Sequence, residues 1–510
     1  MLPVPDFSKK TEQWVSRLSD FFILVLFAVH PLVISTRTYY DITSTKLYFY
    51  VGTVSFTVAV FIVLLVALKA NNRNGLPERP HFFARLRAYE WFLLIYWLVL
   101  MASSILAEHP KYALLGSTKR NEGFLMMTVY LFSVVFAGRF YRVKEWHFIM
   151  FCLVSAMVSA LGICQYYGLD LLQLNPEAIA GVKGPEMVYI STMSNRNLLS
   201  TYLCLSFCIC LVMFSQKKKH SHWFFLPMGL VVFYMLILGQ SESGYVGIFF
   251  SLCFLFPLIA KSTKAAGRLL VMFSLCIIGI WISVKVHDST WPASSWALIS
   301  SYLPVLSAAI GLSGTILWAA PALSFPNKAF SIGWYILILL VIILVIHLIP
   351  YLAVVSDHKT IQDANEIIKG NFDDRLGSNR MFVWKRSLSM VPERLWLGHG
   401  PDSFYILFTS RYGKETIEKN FVNYDKAHNE YIQNLFDNGV LGLCSLLTFY
   451  GIVLYRIHRG KKDSVSLGIY LSLVCFMIQA FFNFSSPFAH PIVWAMWGIG
   501  AGIGYRQSAP

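Results

Sequence analysis

The stretch "SIGWYILILLVIILVIHLIPYLAV", residues 331–354, decides the class of fold. It contains no Asp, Glu, Lys or Arg. About twenty apolar residues are enough to cross the hydrocarbon core of a bilayer. Comparable runs recur near 18–36, 47–69, 88–107, 123–138, 146–163, 197–214, 223–238, 244–260, 267–284, 294–319, 430–455, 466–482 and 488–504. The run at 294–319 is interrupted by Pro304 and by several serines and glycines. Of the 510 residues, 56% are hydrophobic and only 14% are charged, and the mean hydropathy is +0.57. A water-soluble domain of this length needs far more polar surface. The sequence therefore predicts an all-α polytopic membrane protein with about 12–14 transmembrane helices. Helices 1–11 are expected within 1–354, a long helical extracytoplasmic loop over 355–429, and helices 12–14 within 430–510.

The net charge of +15 raises the question of nucleic acid, and its placement answers it. Lys9, Lys10 and Arg17 precede the first run, and short basic loops follow: "KANNRNGLPERPHFFARLR", "RFYRVK", "QKKKH", "KSTKAAGR" and "RIHRGKK". All fall on one side if the chain crosses at every run. More than half of the 42 lysines and arginines lie there, which makes that side cytoplasmic. Both termini are then inside, the 355–429 loop is outside, and the charge serves membrane orientation rather than nucleic-acid binding. No signal-peptide cleavage pattern is evident. All nine cysteines lie in the apolar runs or, for Cys164, directly at the end of one, where they pack as small apolar side chains, with no zinc spacing. The phosphate-loop pattern of ATP-driven machines is missing.

Polar residues gather on the outer face, in 109–124, 165–199, 239–247 and the long loop. A connector of that length is either functional or unstructured. "RMFVWKRSLSMVPERLWLG" points to structure: Met381, Val383, Trp384, Leu388 and Val391 fall roughly on one face. The pattern predicts a helix over 378–391, capped by Ser378 and stopped at Pro392. A second helix is expected after Gly400, with Pro401 as its first residue.

In "KAHNEYIQNLFDNGVLG", residues 426–442, a polar loop turns into an apolar helix. A lone histidine at such a border is more often a headgroup-facing side chain than a base. His428 has company. Asp425 could reach its ring if the turn is helical, and Asn429 supplies an amide beside it. Gly439 and Gly442 are read as packing residues. Among the outer arginines, Arg120, Arg196 and Arg380 each stand at the mouth of a span or at the start of the loop helix. Guanidinium forks match phosphate oxygens, and converging cations imply an anionic ligand. A lipid-linked pyrophosphate fits, with its tail in the bilayer and its head at that depth. Asp373 and Asp374, the one adjacent acidic pair outside, read as a solvated turn, which leaves no carboxylate cluster for a metal.

"HNEYIQNLFDNGVLG" resembles the signature of the O-antigen ligase / O-antigen polymerase superfamily: His-Asn, nine residues, then G-x-x-G. "GSNRMFVWKRSLSMVPERLWLGHGPDSF" resembles the family's upstream segment through Arg380, Trp384, Pro392, Gly398, Gly400 and Phe404. "GSTKRNEGF", "QYYGLD" and "STMSNRNLL" resemble its earlier outer loops. The resemblance implies a GT-C-like glycosyltransferase in the bacterial plasma membrane. It would move a glycan from undecaprenyl pyrophosphate to an acceptor hydroxyl on the extracytoplasmic face, without metal or other cofactor. It implies His428 as the catalytic base and Arg380 as the catalytic ligand of the pyrophosphate. Arg120, Arg196, Asn195, Asn197, Asn429 and Tyr431 are the expected substrate contacts, with Gln165 and Asp170 behind them. Relatives usually carry an arginine in a T-x-S-R-G pattern, where this chain has Glu242-Ser243-Gly244. Arg196 is expected to compensate. The rival reading is a transporter or flippase of the same lipid-linked glycan, which needs the arginines and no base.

Overall fold

The computed structural model describes residues 7–35, 41–71, 86–117, 120–174, 190–193, 195–216, 220–286, 293–325, 327–355, 359–421, 424–460 and 463–506. Parts of the outer pieces 109–124 and 165–199, and of the basic loops, lie outside these residues. In chain order the α-helices are α1 (Phe7–Leu24), α2 (Ile42–Asn71), α3 (Ala88–Ile105), α4 (Pro110–Leu115), α5 (Phe124–Phe140) and α6 (Glu145–Tyr166). Then follow α7 (Arg196–Gln216), α8 (Phe225–Leu238), α9 (Glu242–Ile259), α10 (Thr263–Val286), α11 (Ala293–Ala319) and α12 (Asn327–Val355). The last six are α13 (Lys359–Ile368), α14 (Arg380–Met390), α15 (Phe404–Glu418), α16 (Glu430–Arg459), α17 (Ser464–Gln479) and α18 (His490–Arg506). No strand occurs among the described residues, and only Ser262 and Ser324 form an isolated bridge.

Every apolar run became a helix. Among the described residues, ten helices are long and apolar enough to cross a membrane on their own, and Phe124–Phe140, His222–Leu238 and Ser464–Gln479 are shorter apolar ones. Helix α11 forms straight through Pro304. Burial separates centre from rim. Helix α7 is buried along its whole length, whereas α12, the most apolar of all, has none of its apolar window buried inside the protein. A side chain as greasy as those of α12 is left uncovered only where lipid covers it. The protein is a multi-pass helical membrane protein.

Helix α7 can sit at the centre because its contacts are small or sulfur-bearing. Ser200, Cys204, Ser206, Cys208 and Cys210 let neighbours approach closely. Its polar atoms are met locally: the Ser206 hydroxyl donates to the Leu203 carbonyl at 3.0 Å, and Ser472 of α17 donates to Leu205 at 2.8 Å. All nine cysteines are free. Helices α3 and α16 run antiparallel. Ser103 near the end of α3 donates to the Asp437 carbonyl at 2.7 Å, and Tyr89 near its start packs on Phe449.

Between α12 and α16 the chain builds its own small core from Phe382, Val383, Met390, Phe404, Phe408, Tyr424 and Phe436. Details of this segment correct the sequence reading. Helix α14 starts at Arg380, and its N-cap is Asn379, without a side-chain cap. Ser378 does not cap it, because Gly377, Ser378 and Asn379 all have positive φ and fold the preceding turn back. The first amide groups are met by that turn: Met381 donates to the Leu376 carbonyl and Phe382 to Asp374. Leu388 is exposed, and Phe382, Val383, Ser387 and Met390 form the buried face. Pro392 opens a 3-10 turn over Val391–Arg394. The next helix begins at Phe404 rather than Pro401, since Gly400 and Asp402 both take positive φ and turn the Asp402 carboxylate inward. Asp374 is not merely solvated: it takes Lys419 at 2.8 Å and Lys385 at 3.3 Å.

Candidate active site

The site is a short loop, residues 425–429, held by the 380–404 segment, by the turn before α5 and by the start of α16. Each residue has its own fastening. Asp425 accepts from Arg120, at 2.9 Å from Nε and 2.8 Å from the terminal nitrogen. Lys426, buried, sits 3.1 Å from Asp402 and 3.5 Å from Glu122. The Ala427 amide donates to Gln433 at 2.7 Å, and its carbonyl takes the Trp384 indole at 3.0 Å. Asn429 caps α16, its side-chain oxygen accepting from the Tyr431 and Ile432 amides at 3.0 and 3.1 Å. His428 itself has φ of +52°, a left-handed conformation that costs a non-glycine residue about 1–2 kcal/mol. The fastenings on either side hold it there.

The imidazole of His428 stands edge-on to Phe484 at 4.8 Å and to Tyr424 at 6.2 Å. Phe484 also carries the Arg120 guanidinium at 4.6 Å from its ring centre. One ring therefore seats the imidazole and a cation together. The ring nitrogens of His428 make no hydrogen bond to another described residue. Asp425 does not reach the ring: the turn is not helical, and Arg120 holds the carboxylate instead. Burial lowers the His428 pKa, the Arg380 charge lowers it further, and Arg120 adds to this; Asp425 partly opposes, and the result is about 4. The ring is thus neutral and able to accept a proton.

Arg380, at the first position of α14, is largely desolvated, which lowers its pKa, while Glu242 pulls the other way. No described residue forms an ion pair or hydrogen bond with its guanidinium. This distinguishes it from three other loop arginines. Arg386 pairs with Glu415 at 2.5 Å, Arg411 with Glu393, and Arg394 donates to the Leu106 carbonyl. Those three are internal braces. Trp384 lies one turn after Arg380 on the same helix, so the bond from Trp384 to Ala427 fixes where Arg380 points relative to His428.

The remaining sequence candidates make contacts of their own. Asn195 accepts from the Asn197 amide at 2.8 Å, opening α7. Asn197 takes the Ser241 hydroxyl on its side chain at 2.8 Å and Asn483 on its carbonyl at 2.9 Å. Asn483 directly precedes Phe484, so the start of α7 is tied to the floor beneath His428. Arg196 is the first residue of α7. The Tyr431 hydroxyl donates to Met477 at 2.6 Å. Gln165 donates to Asp170 at 3.1 Å and accepts from the Ser191 amide. Glu242, in the position where an arginine was expected, accepts from Thr360 of α13 at 2.5 Å.

Sequence reasoning missed what lies below the loop. Glu122 accepts from Tyr130 at 3.1 Å and from Ser485, and Asp402 accepts from the Ser117 amide at 2.7 Å and its hydroxyl at 2.9 Å. Burial works against the charge on Lys426, but Asp402 and Glu122 more than offset it and hold the ammonium above the usual lysine range. Burial pushes the Glu122 carboxyl up despite Lys426. Charged residues adjoining the histidine, "DKAH", were the available signal.

The backbone explains the glycines. Helix α16 breaks at Gly439, where φ is +66° and ψ −170°. Residues 395–400 run alongside the break: Val440 and Leu441 donate to the Leu395 and Trp396 carbonyls, and His399 and Gly400 donate to Phe436 and Asp437. A Cβ on Gly439 would strike the backbone of Trp396 and Leu397, and one on Gly398 that of Asp437 and Asn438. Gly439 is not a helix-packing residue but the place where the loop replaces the helix's own hydrogen bonds.

Such an arrangement defines a helical membrane protein with a neutral histidine and two arginines at the mouth of a span. Residues 293–447 match the family model described as O-antigen ligase, Wzy_C. Through that segment, which contains His428, Arg380, Trp384 and Gly439, the chain is similar to the O-antigen ligase superfamily. No curated protein matches the chain.

Proposed function

We propose that the protein is a membrane glycosyltransferase of the O-antigen ligase type. It transfers a glycan from undecaprenyl pyrophosphate to an acceptor hydroxyl on the extracytoplasmic face of the bacterial plasma membrane. A ring nitrogen of His428 takes the acceptor's proton. The acceptor oxygen bonds to the anomeric carbon as the bond from that carbon to the pyrophosphate oxygen breaks, with inversion. The leaving electron pair goes out on undecaprenyl pyrophosphate, beside Arg380 and Arg120. A positioned base contributes about 10²–10⁴-fold. A donor aimed at a developing oxyanion contributes about 10²–10³-fold. Pyrophosphate already leaves readily, so the reading requires neither ATP nor a metal. Arg196 joins the phosphate site in place of the family arginine.

The observation that carries this reading is the convergence of an unbonded imidazole with Arg120 and Arg380. The same two cations that ready His428 as a neutral base also weaken it. A pyrophosphate bound between them would cancel their field and strengthen the base only once the donor is in place. The test offers purified protein a lipid-linked oligosaccharide and candidate acceptors, with and without EDTA. Transfer that persists in EDTA supports the reading; release of free glycan or flipping without transfer refutes it.

A further inference from the structure

A second feature lies at the other end of the bundle. Phe61 of α2, Leu93, Leu94 and Trp97 of α3, and Leu131 and Phe136 of α5 line an apolar cleft of about 630 Å³. That volume falls within the range of small-molecule sites, about 300–1,000 Å³. Leu94 is exposed, so the cleft opens sideways to lipid. One end of it is charged. Arg139, on the wall, donates to both oxygens of Glu90, at 2.6 and 2.5 Å. Next to them, Arg87 donates to the Gly138 carbonyl at 3.0 Å. The guanidiniums of Arg87 and Arg456 both lie over the Tyr505 ring, 5.0 and 3.9 Å from its centre. Neither forms an ion pair with a described carboxylate.

Three guanidiniums, one carboxylate and an apolar trough form an amphipathic site with surplus positive charge. Like charges gathered on one ring repel unless an anion joins them. Arg456 lies 17 residues beyond the break at Gly439, about 26 Å of continuous helix at about 1.5 Å per residue, and the His428 loop lies on the far side of that break. This end is thus a bilayer thickness away from His428. We propose that the cleft holds an anionic glycerophospholipid of the opposite leaflet, one acyl chain along the α2–α3–α5 trough and its phosphate among Arg87, Arg139 and Arg456. Basic clusters at a membrane surface attract such headgroups. The lipid is not the glycan donor, whose pyrophosphate belongs at the His428 end.

Native mass spectrometry of delipidated full-length protein tests this. The probes are phosphatidylglycerol, phosphatidylcholine with the same chains, undecaprenyl phosphate and inorganic phosphate. Phosphatidylglycerol is expected to be retained at least about tenfold better than phosphatidylcholine. The double variant R87Q/R456Q should abolish that preference. L94W, at an exposed position that folding tolerates, should reduce retention of phosphatidylglycerol by obstructing the trough while leaving the cations in place. Equal retention of the two phospholipids, or unchanged retention in both variants, overturns the proposal. So does displacement of phosphatidylglycerol by inorganic phosphate alone, which would mean a simple anion site, or by undecaprenyl phosphate, which would mean a donor groove.

Discussion

At His428 the decisive fact is what the ring lacks. Its neighbours are two cations, two aromatic rings and a carboxylate already taken by Arg120. An imidazole of ordinary pKa, about 6.5, would be half protonated in mildly acid solution. This one, at about 4, stays neutral well below that. The acid limb of kcat/KM for glycan transfer, which reports the free enzyme, is therefore expected near pH 4 to 5. R380Q should raise the limb toward 6.5 by removing the largest opposing charge. A wild-type limb at 6.5, unmoved by R380Q, would contradict the assigned field. The sign for stability follows likewise. The unfolded histidine binds its proton near 6.5 and the folded one near 4, so this contribution is full above pH 6.5 and is lost as pH falls through that window.

The elements around the loop show what the sequence could and could not reveal. The apolar runs were readable because the bilayer imposes their length. The His-Asn and R-x-x-x-W spacings were readable because each lies within one stretch of chain. Lys426 was not, since its partners Asp402 and Glu122 come from elsewhere in the chain; nor was the Arg120–Asp425 bond, which spans 305 positions. The positive φ at Ser378 and Asn379 that displaced the cap is likewise set by tertiary folding. Gly439 looked like packing because a G-x-x-G in an apolar run looks the same whether it admits a helix or a crossing strand. Two outcomes follow. G439A should destabilise by at least about 1–2 kcal/mol from the backbone conformation alone, and more from the clash with Trp396, read as a lowered melting temperature; an unchanged melt would remove the break from the account. K426M leaves Asp402 buried without its partner, and breaking a buried pair costs about 3–5 kcal/mol. Its melting temperature and its transfer rate should fall together.

Across the whole molecule, the basic end at Arg456 and the proposed catalytic end at His428 stand at opposite ends of α16. From whole-chain charge placement we propose that the 355–429 segment is outside and the termini inside. In a cysteine-free background, S378C in intact cells should react with a membrane-impermeant maleimide. Protection of Ser378→Cys until the cells are opened would invert the assigned topology. The central claim is that His428 performs proton transfer whereas Arg380 holds the donor. Single-turnover transfer and donor affinity, measured on the same purified protein for wild type, H428A and R380Q, test it most directly. The account predicts that H428A binds the lipid-linked glycan like wild type and transfers it about 10²–10⁴-fold more slowly, while R380Q loses affinity for the donor. Transfer by H428A at the wild-type rate would contradict it.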